Sequence, residues 1–198
     1  MMKKIAFLIA LMFVSFEGFS QTVTYEDFKA LIPFVENESY KEVFEKSNEI
    51  LDKTLDDSSD LRGIVSYMNL YALAGMVTID QMNYDDFVKH SKKFIGKRLV
   101  MPAHPCVSSE EKASNSIQFS EEDGKQKASV ITFNKKRVSI LFFEYFYFSE
   151  KLNPQDYIGK NVRSGGILEK IETNPNKSKI WIARLRMKES FARTMTPR

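Results

Sequence analysis

The pattern of apolar and polar positions divides the chain into a helical first part and a strand-rich second part. After residue 20, apolar residues recur every three or four positions as far as about residue 95, with polar turns between the runs. From Gly96 onward the apolar runs are short and alternate, and turn sequences such as Asn134-Lys135-Lys136 separate them. This pattern predicts an α+β protein in which an antiparallel helical bundle, residues 21–93, precedes a small antiparallel β-barrel, residues 94–198.

Four helices are predicted in the first part, and three of them have a recognisable start. Thr24 is placed to cap the first helix, which Pro33 should kink or end. Ser39 and Glu42 have the spacing of a capping box at the second helix, and the fourth should start near Asn83. Short connections between the helices make neighbours antiparallel.

The third helix carries a cluster of small and aromatic residues, Tyr71, Ala72 and Gly75, where a neighbouring helix could approach closely. The paired helices and this cluster resemble one and a half tetratricopeptide-type repeats. The resemblance implies protein or peptide binding rather than catalysis. Because a solenoid usually needs about three repeats for stability, the helices are expected to pack against the second domain.

Six strands are predicted in the second part, and the sheet should be built around the most apolar of them. Residues 137–148 read RVSILFFEYFYF, so both faces of this strand are apolar, and we expect the barrel interior to cover one face and the helices the other. Glu144, in its middle, should pair with a nearby Arg or Lys. In the last strand, Trp181 alternates with Ala183 and Leu185 on a face predicted to be core. The predicted strands are 97–101, 116–119, 127–133, 137–148, 161–171 and 179–187.

A short phrase occurs twice before predicted strands. Residues 94–99 read FIGKRL and residues 157–162 read YIGKNV, and the second copy runs on into Gly165-Gly166-Ile167-Leu168. The pattern resembles OB-fold domains, particularly the bacterial anticodon-binding-like (tRNA_anti-like) family, over about half of the chain. The first copy departs from it, because Pro102-Ala103-His104-Pro105 follows where the glycine is expected. The resemblance implies a barrel that binds oligonucleotides, oligosaccharides or proteins.

The first twenty residues are predicted to be a secretory signal peptide rather than part of the fold. A basic start is followed by about twelve apolar residues, fewer than the ~20 that a membrane helix needs. Gly18 and Ser20 are small residues with the spacing that a signal peptidase requires, so cleavage is expected near Ser20/Gln21. The protein should then be exported, to the periplasm or the medium, without a membrane span. The alternative is a permanent membrane anchor.

The two parts carry opposite charge. Residues 21–90 contain 14 acidic and 6 basic side chains, whereas residues 91–198 contain 11 acidic and 21 basic ones. The parts should attract each other, and the remaining basic surface would favour a polyanion such as nucleic acid, unless it is merely solvated. The candidate ligand-binding residues on that surface are Lys97, Arg98, Lys160, Arg163, Arg184 and Arg186.

The sequence offers little for an enzyme or a metal site. His104 and Cys106 lie two residues apart between prolines, which is too few groups for a structural zinc site or a catalytic triad. We expect His104 at the surface and Cys106 buried; as the single cysteine, it cannot form an intramolecular disulfide. We therefore expect no catalytic residues, no metal and no cofactor. The predicted function is an exported, non-enzymatic binding protein with a protein or peptide partner; the alternatives are a nucleic-acid or polyanion binder and an unrecognised hydrolase.

Overall fold

The computed structural model describes residues 22–54, 59–111 and 115–195, where four helices precede a mostly antiparallel seven-stranded sheet. The predicted α+β class, with helices before strands, is thus confirmed, while the predicted signal peptide lies outside the described residues. No helix in the described ranges is long and apolar enough to cross a membrane. The elements are α1 (Tyr25–Glu36), α2 (Tyr40–Lys53), α3 (Asp60–Thr78), α4 (Tyr84–Ser91), β1 (Arg98–Val100), β2 (His104–Pro105), β3 (Gln118–Glu122), β4 (Lys125–Phe133), β5 (Ile140–Tyr147), β6 (Asn161–Thr173) and β7 (Trp181–Thr194), with 3₁₀ turns at Lys92–Phe94 and Pro154–Asp156.

The helix starts follow the sequence with one difference, at α2. Thr24 caps α1, and Asp27 completes a capping box there, its carboxylate accepting the Thr24 N–H at 2.8 Å. The box predicted at α2 does not form: Ser39 makes no side-chain cap bond, because the tight turn from α1 holds it at ψ 67° rather than in the extended conformation. Pro33 does not end α1, which continues to Glu36. Asn83 caps α4 as predicted.

Helix α3 lies at the centre of the molecule. Fourteen of its nineteen residues are buried, so it is apolar nearly all round, as a helix enclosed by other elements should be. It packs against α2 on one side and against β1, β5 and β7 on the other. Gly75 allows the close approach predicted for this helix, because a Cβ there would lie 2.2 Å from ring atoms of Tyr40 on α2.

The sheet has the strand order β1-β6-β7-β5-β4-β3, with β2 beside β6. Neighbours are antiparallel except β5 and β7, which run parallel, a pairing that the prediction of an antiparallel barrel did not include. Next to β2, Cys106 forms an isolated bridge with Ile117, and the Ile117 N–H donates to the Pro105 carbonyl at 2.9 Å. This bridge brings the two ends of an otherwise open sheet together at one point.

The repeated phrase is explained by its two glycines. Gly96 and Gly159 have φ of 81° and 78°, in the left-handed region that favours glycine. Their N–H groups donate to the carbonyls of Leu168 and Cys106 at 2.8 and 2.9 Å. Each phrase is therefore a tight turn that leads into a strand, β1 or β6, and these two strands pair with each other.

One apolar core joins the helices to the sheet. Leu73 on α3 and Phe87 on α4 belong to the same buried cluster as Phe142 and Phe146 on β5 and Leu185 on β7. All five side chains are fully buried. A second cluster, which includes Leu31, Val43 and Val65, lies mainly among the helices. The helices thus pack on the inner face of the sheet, where its large apolar side chains lie.

Candidate functional site

In the described part of the chain, helices α1–α4 do not cover the outer face of the sheet, which differs from the predicted arrangement. Along β5, Phe142, Glu144 and Phe146 are buried on the inner face, whereas Phe143 and Tyr145 alternate with them and are half-buried on the outer face. The Tyr67 ring on α3 packs against Phe142 rather than Phe143. The prediction that the barrel interior covers one face of this strand and the helices cover the other is therefore wrong. The helices pack on the face that forms the sheet interior, and the opposite face points outward.

Cationic side chains lie across this outer face in register with the aromatic ones. In the parallel pair, Phe143 lies opposite Arg184 and Tyr145 lies opposite Arg186. On the other side of β5, Lys127 lies opposite Tyr147. We call this surface the aromatic–arginine face; its members are Lys127, Phe143, Tyr145, Tyr147, Trp181, Arg184 and Arg186.

Each cation of the aromatic–arginine face lies over a ring. The Arg184 guanidinium is 4.9 Å from the centre of the Trp181 ring and 6.0 Å from that of Phe143, and these two rings meet edge to face at 6.0 Å. Arg186 lies 5.0 Å from the Tyr147 ring and Lys127 lies 5.1 Å from the Tyr145 ring. Such contacts stabilise by about 0.5–1 kcal/mol each at exposed sites.

Two carboxylates border this face and partly balance its charge. Glu122 accepts a hydrogen bond from the Tyr147 hydroxyl at 2.5 Å and pairs with Lys127 at 3.2 Å, and these contacts lower the pKa of its carboxyl. The pKa of Glu172 is also lowered, chiefly by a hydrogen bond from Lys170 and further by the nearby arginines. A shallow cavity of about 190 Å³ lies between these residues, and three cationic groups and two carboxylates line it.

The six predicted ligand-binding residues do not form one site. Arg184 and Arg186 lie on the aromatic–arginine face. Lys97 and Arg98 lie at the junction of the helices and the sheet, where both line another pocket. Lys160 and Arg163 lie near the start of β6; Lys160 donates to the Asp156 carbonyl at 2.7 Å, and Arg163 is opposite Arg193 on β7.

The sequence prediction missed the aromatic part of this surface. Trp181 was expected in the core with Ala183 and Leu185, but it is half-buried on the outer face beside Arg184, at the start of β7, where alternation has not yet begun. The spacing of Phe143, Tyr145 and Tyr147 against Arg184 and Arg186 was visible in the sequence. What the sequence did not reveal was that β5 and β7 are parallel neighbours. This pairing places the aromatic residues of β5 beside the arginines of β7.

Glu144 does not have the basic partner that was predicted for it. It is fully buried on the inner face, where the Tyr67 and Thr132 hydroxyls both donate to its Oε1 at 2.8 Å. Its Oε2 is buried without a hydrogen-bond partner among the described residues. Burial raises the pKa of this carboxyl to about 8, an effect that the two hydrogen bonds oppose. A neutral carboxyl with hydroxyl donors thus replaces the expected ion pair.

His104 and Cys106 lie beside the point where the sheet ends meet. The His104 ring is half-buried rather than at the surface, its Nδ1 is 3.0 Å from the Asn115 carbonyl oxygen, and burial lowers its pKa. Cys106 is buried as predicted, and burial raises the pKa of its thiol to about 11. Within the described ranges, no three His, Cys, Asp or Glu side chains are grouped so that they could hold a metal ion.

No protein-family model, curated protein or solved structure matches the chain.

Proposed function

We propose that the protein is an exported, non-enzymatic binding protein, and that its aromatic–arginine face binds single-stranded nucleic acid. The observation that carries the proposal is the register of Phe143 and Tyr145 against Arg184 and Arg186 on neighbouring outward-facing strands. Proteins that bind single strands combine cationic groups, which contact the phosphates, with planar groups on which the bases stack. This face has both, and the OB-fold resemblance of the same part of the chain supports such a role.

The geometry favours a flat, extended ligand over a compact one. Successive outward residues of a strand are about 7 Å apart, so three rings of β5 form a row along the sheet. The guanidinium groups of Arg184 and Arg186 lie 4.9 and 5.0 Å from ring centres, and we expect bases to stack on the sides that face away from those rings. The cavity between them is shallow and polar, so it would accommodate a strand lying across the surface rather than an enclosed small molecule.

A protein or peptide partner is the second candidate, and one groove favours it. Between α1 and α2 a groove of about 340 Å³ is lined by apolar atoms of Ala30, Leu31 and Ile50 and bordered by charged side chains of both signs. Helix α3, in contrast, is enclosed and presents no free face to a peptide. A short amphipathic segment could lie in the α1–α2 groove, which shares no lining residue with the cavity of the aromatic–arginine face.

The single tryptophan of the chain lies on the proposed binding surface, so its fluorescence reports that surface alone. Titration of the mature protein with a fluorescent oligodeoxythymidylate should quench Trp181 and raise the anisotropy of the oligonucleotide with the same midpoint. The double variant R184A/R186A should weaken binding. It should also reduce the slope of log affinity against log salt by about 0.7 for each phosphate of the single strand that the variant no longer neutralises.

The matched control is K41A/K89A, which removes two positive charges from exposed positions on α2 and α4. It should bind like the wild type. Equal losses in both double variants would mean that net charge, not this face, governs binding. Dextran sulfate, which lacks stacking groups, distinguishes general polyanion binding: if it competes as strongly as the oligonucleotide, stacking has no role. Binding of neither polymer would contradict the proposal.

Export has its own test. Mass spectrometry of the protein from an envelope or medium fraction should find a chain that begins at Gln21, with or without cyclisation to pyroglutamate. An intact Met1 in that fraction would contradict signal-peptide cleavage.

A further inference from the structure

Two turns lie side by side at one end of the sheet. Residues 134–139 connect β4 to β5, and residues 174–180 connect β6 to β7. Because β5 and β7 are parallel neighbours, both strands start at this end, where the Ile140 N–H donates to the Ile180 carbonyl at 2.9 Å. We call these two turns together the sheet tip.

The two turns share one hydrogen-bonded geometry. Each begins at a buried asparagine, Asn134 or Asn174, whose side chain forms hydrogen bonds with the backbone of its own turn. Three residues later a cation lies in the left-handed region, Arg137 at φ 56° and Lys177 at φ 50°, and its N–H donates to the asparagine carbonyl. Glycine or asparagine would adopt this conformation with less strain, so the backbone does not account for a cation at these positions.

Each turn also exposes one aliphatic side chain. Val138 is 70% exposed and Ile180 is 71% exposed, more than any other large apolar side chain in the described part of the chain. They lie near each other, because Val138 is two residues from Ile140, which is hydrogen-bonded to Ile180. Exposed apolar side chains that lie together mark a contact surface for a protein or a membrane.

Cations surround these two aliphatic side chains. Five of them are exposed in the turns, namely Lys135, Lys136, Arg137, Lys177 and Lys179. Three carboxylates of the described ranges contact the turns, namely Asp80, Asp85 and Glu38. Both aspartates are exposed, and ion pairs between exposed groups are weak. The sheet tip therefore has an excess of positive charge that an anionic surface would complement.

The chemistry of the sheet tip favours a lipid surface over a protein or a nucleic acid. Four of its five cations are lysines, a residue type that is depleted at protein–protein interfaces. Nucleic-acid bases stack on rings, and they would leave the aliphatic side chains in water. An anionic bilayer complements both features, since its headgroups attract basic residues and its acyl boundary accepts apolar side chains.

We propose that the sheet tip docks on the surface of a bilayer that contains anionic phospholipid. Val138 and Ile180 would enter the boundary between headgroups and acyl chains, and the surrounding cations would contact the lipid phosphates. The hydrogen bonds of the two asparagines present these side chains in a fixed arrangement, so little ordering is needed on binding. The proposal does not rest on nucleic-acid binding by the aromatic–arginine face.

The test is sedimentation of the mature protein with vesicles of phosphatidylcholine, alone or mixed with phosphatidylglycerol. Binding should be saturable on the mixed vesicles, increase with the share of phosphatidylglycerol and weaken as salt is added. The variant V138S/I180S keeps every charge and should bind about tenfold or more weakly, because two apolar side chains no longer leave water. The variant K136A/K179A should also bind about tenfold more weakly, and its binding should depend less on salt.

Two matched controls change the same residue classes outside the sheet tip. Y25S/I95S removes two other exposed apolar side chains, and K41A/K89A removes two other exposed lysines. Both should bind the mixed vesicles like the wild type, and circular dichroism checks that all four variants fold. Equal losses in the tip variants and their controls would overturn the proposal, because general hydrophobicity or net charge would then govern binding.

Two further outcomes would overturn the proposal. One is the absence of sedimentation with the mixed vesicles. The other is a loss of oligonucleotide binding in V138S/I180S as large as its loss of vesicle binding, since the sheet tip would then serve a nucleic acid. Wild-type binding of the oligonucleotide by this variant, together with weakened vesicle binding, is the expected result.

Discussion

The Tyr67 hydroxyl donates a hydrogen bond of 2.8 Å to Glu144 Oε1, and this contact joins α3 to β5 inside the core. Both side chains are buried, and Thr132 donates to the same carboxyl oxygen. At this buried position, desolvation favours the neutral form of the carboxyl and raises its pKa to about 8. The protonation state of this buried carboxyl, which lies between a helix and the sheet, is therefore linked to the stability of the folded protein.

Stability should fall as the pH rises through the neutral range. The pKa of Glu144 is higher in the folded state, about 8, than its ordinary value of 4.5, so the protein gains stability from this group below pH 4.5 and loses it as the pH rises through about 8. The contribution to the slope is at most about 1.4 kcal/mol per pH unit. Urea unfolding between about pH 5 and pH 9 measures it.

The variant E144Q should flatten that slope and exceed the wild type in stability above about pH 8, because the amide keeps an acceptor for Tyr67 and cannot ionise. E169Q, which changes an exposed carboxyl on β6, should keep the wild-type slope. An unchanged slope in E144Q would mean that the carboxyl is already ionised in the folded protein.

The two neighbouring phenylalanines of β5 should differ in their contribution to stability. Phe142 is fully buried, so F142A should cost about 3–5 kcal/mol. Phe143 is half-buried under the Arg184 guanidinium, so F143A should cost about 1–2 kcal/mol, from partial burial and one cation–π contact. Urea unfolding at one pH compares them. Equal, large losses would show that another surface covers the outer face in solution.

Replacing Gly75 by alanine should destabilise the protein, although alanine is favoured in helices by about 1 kcal/mol. The new Cβ would lie 2.2 Å from the Tyr40 ring, which is itself buried between α2 and α3. The double variant G75A/Y40L removes the obstructing ring, so its loss should be smaller than the sum of the two single losses. Additive losses in thermal unfolding would contradict this account, because they would show that the alanine Cβ and the Tyr40 ring do not interact.

The Cys106 thiol should be inert in the folded protein. It is buried, and its pKa is raised to about 11 by that burial, so very little of the reactive thiolate exists at neutral pH. An aromatic disulfide reagent should react with one thiol per chain only after denaturant is added. Reducing agent should leave the melting temperature unchanged. A dimer on a non-reducing gel that disappears with reductant would show that the thiol is accessible.

The sequence predicted the elements well and their contacts poorly, for identifiable reasons. Helix periodicity and the caps at Thr24 and Asn83 are local signals, and the bonds that satisfy them are local too. The prediction that both faces of β5 are covered was wrong, because aromatic side chains on the outer face give the same apolar pattern as aromatic side chains in a core. The partner of Glu144 lies 77 residues away on α3 and could not be identified from spacing.

The candidate site was predicted only in part for a similar reason. Arg184 and Arg186 were singled out by charge, but their aromatic neighbours depend on the parallel pairing of β5 with β7, which is set by the whole sheet. Lys160 and Arg163 are also positively charged, but they do not line the cavity on which Arg184 and Arg186 lie. The number of charged residues can be read from a sequence. Which of them lie together in the fold can be known only from the strand topology.

The position of β7 between β6 and β5 determines when the sheet can form. β7 is the last strand along the chain, yet it contributes both the parallel and the longest antiparallel pairing of the sheet. Until residues 181–194 are available, β5 and β6 each have an unpaired edge facing the place of the missing strand. The pairing of β5 with β7 joins strands that are separated in sequence by the whole of β6. Such pairings form slowly, because closing the intervening loop costs conformational entropy. A chain that ends before β7 would therefore expose unpaired backbone groups along two strand edges. We expect it to aggregate rather than to fold into a smaller sheet.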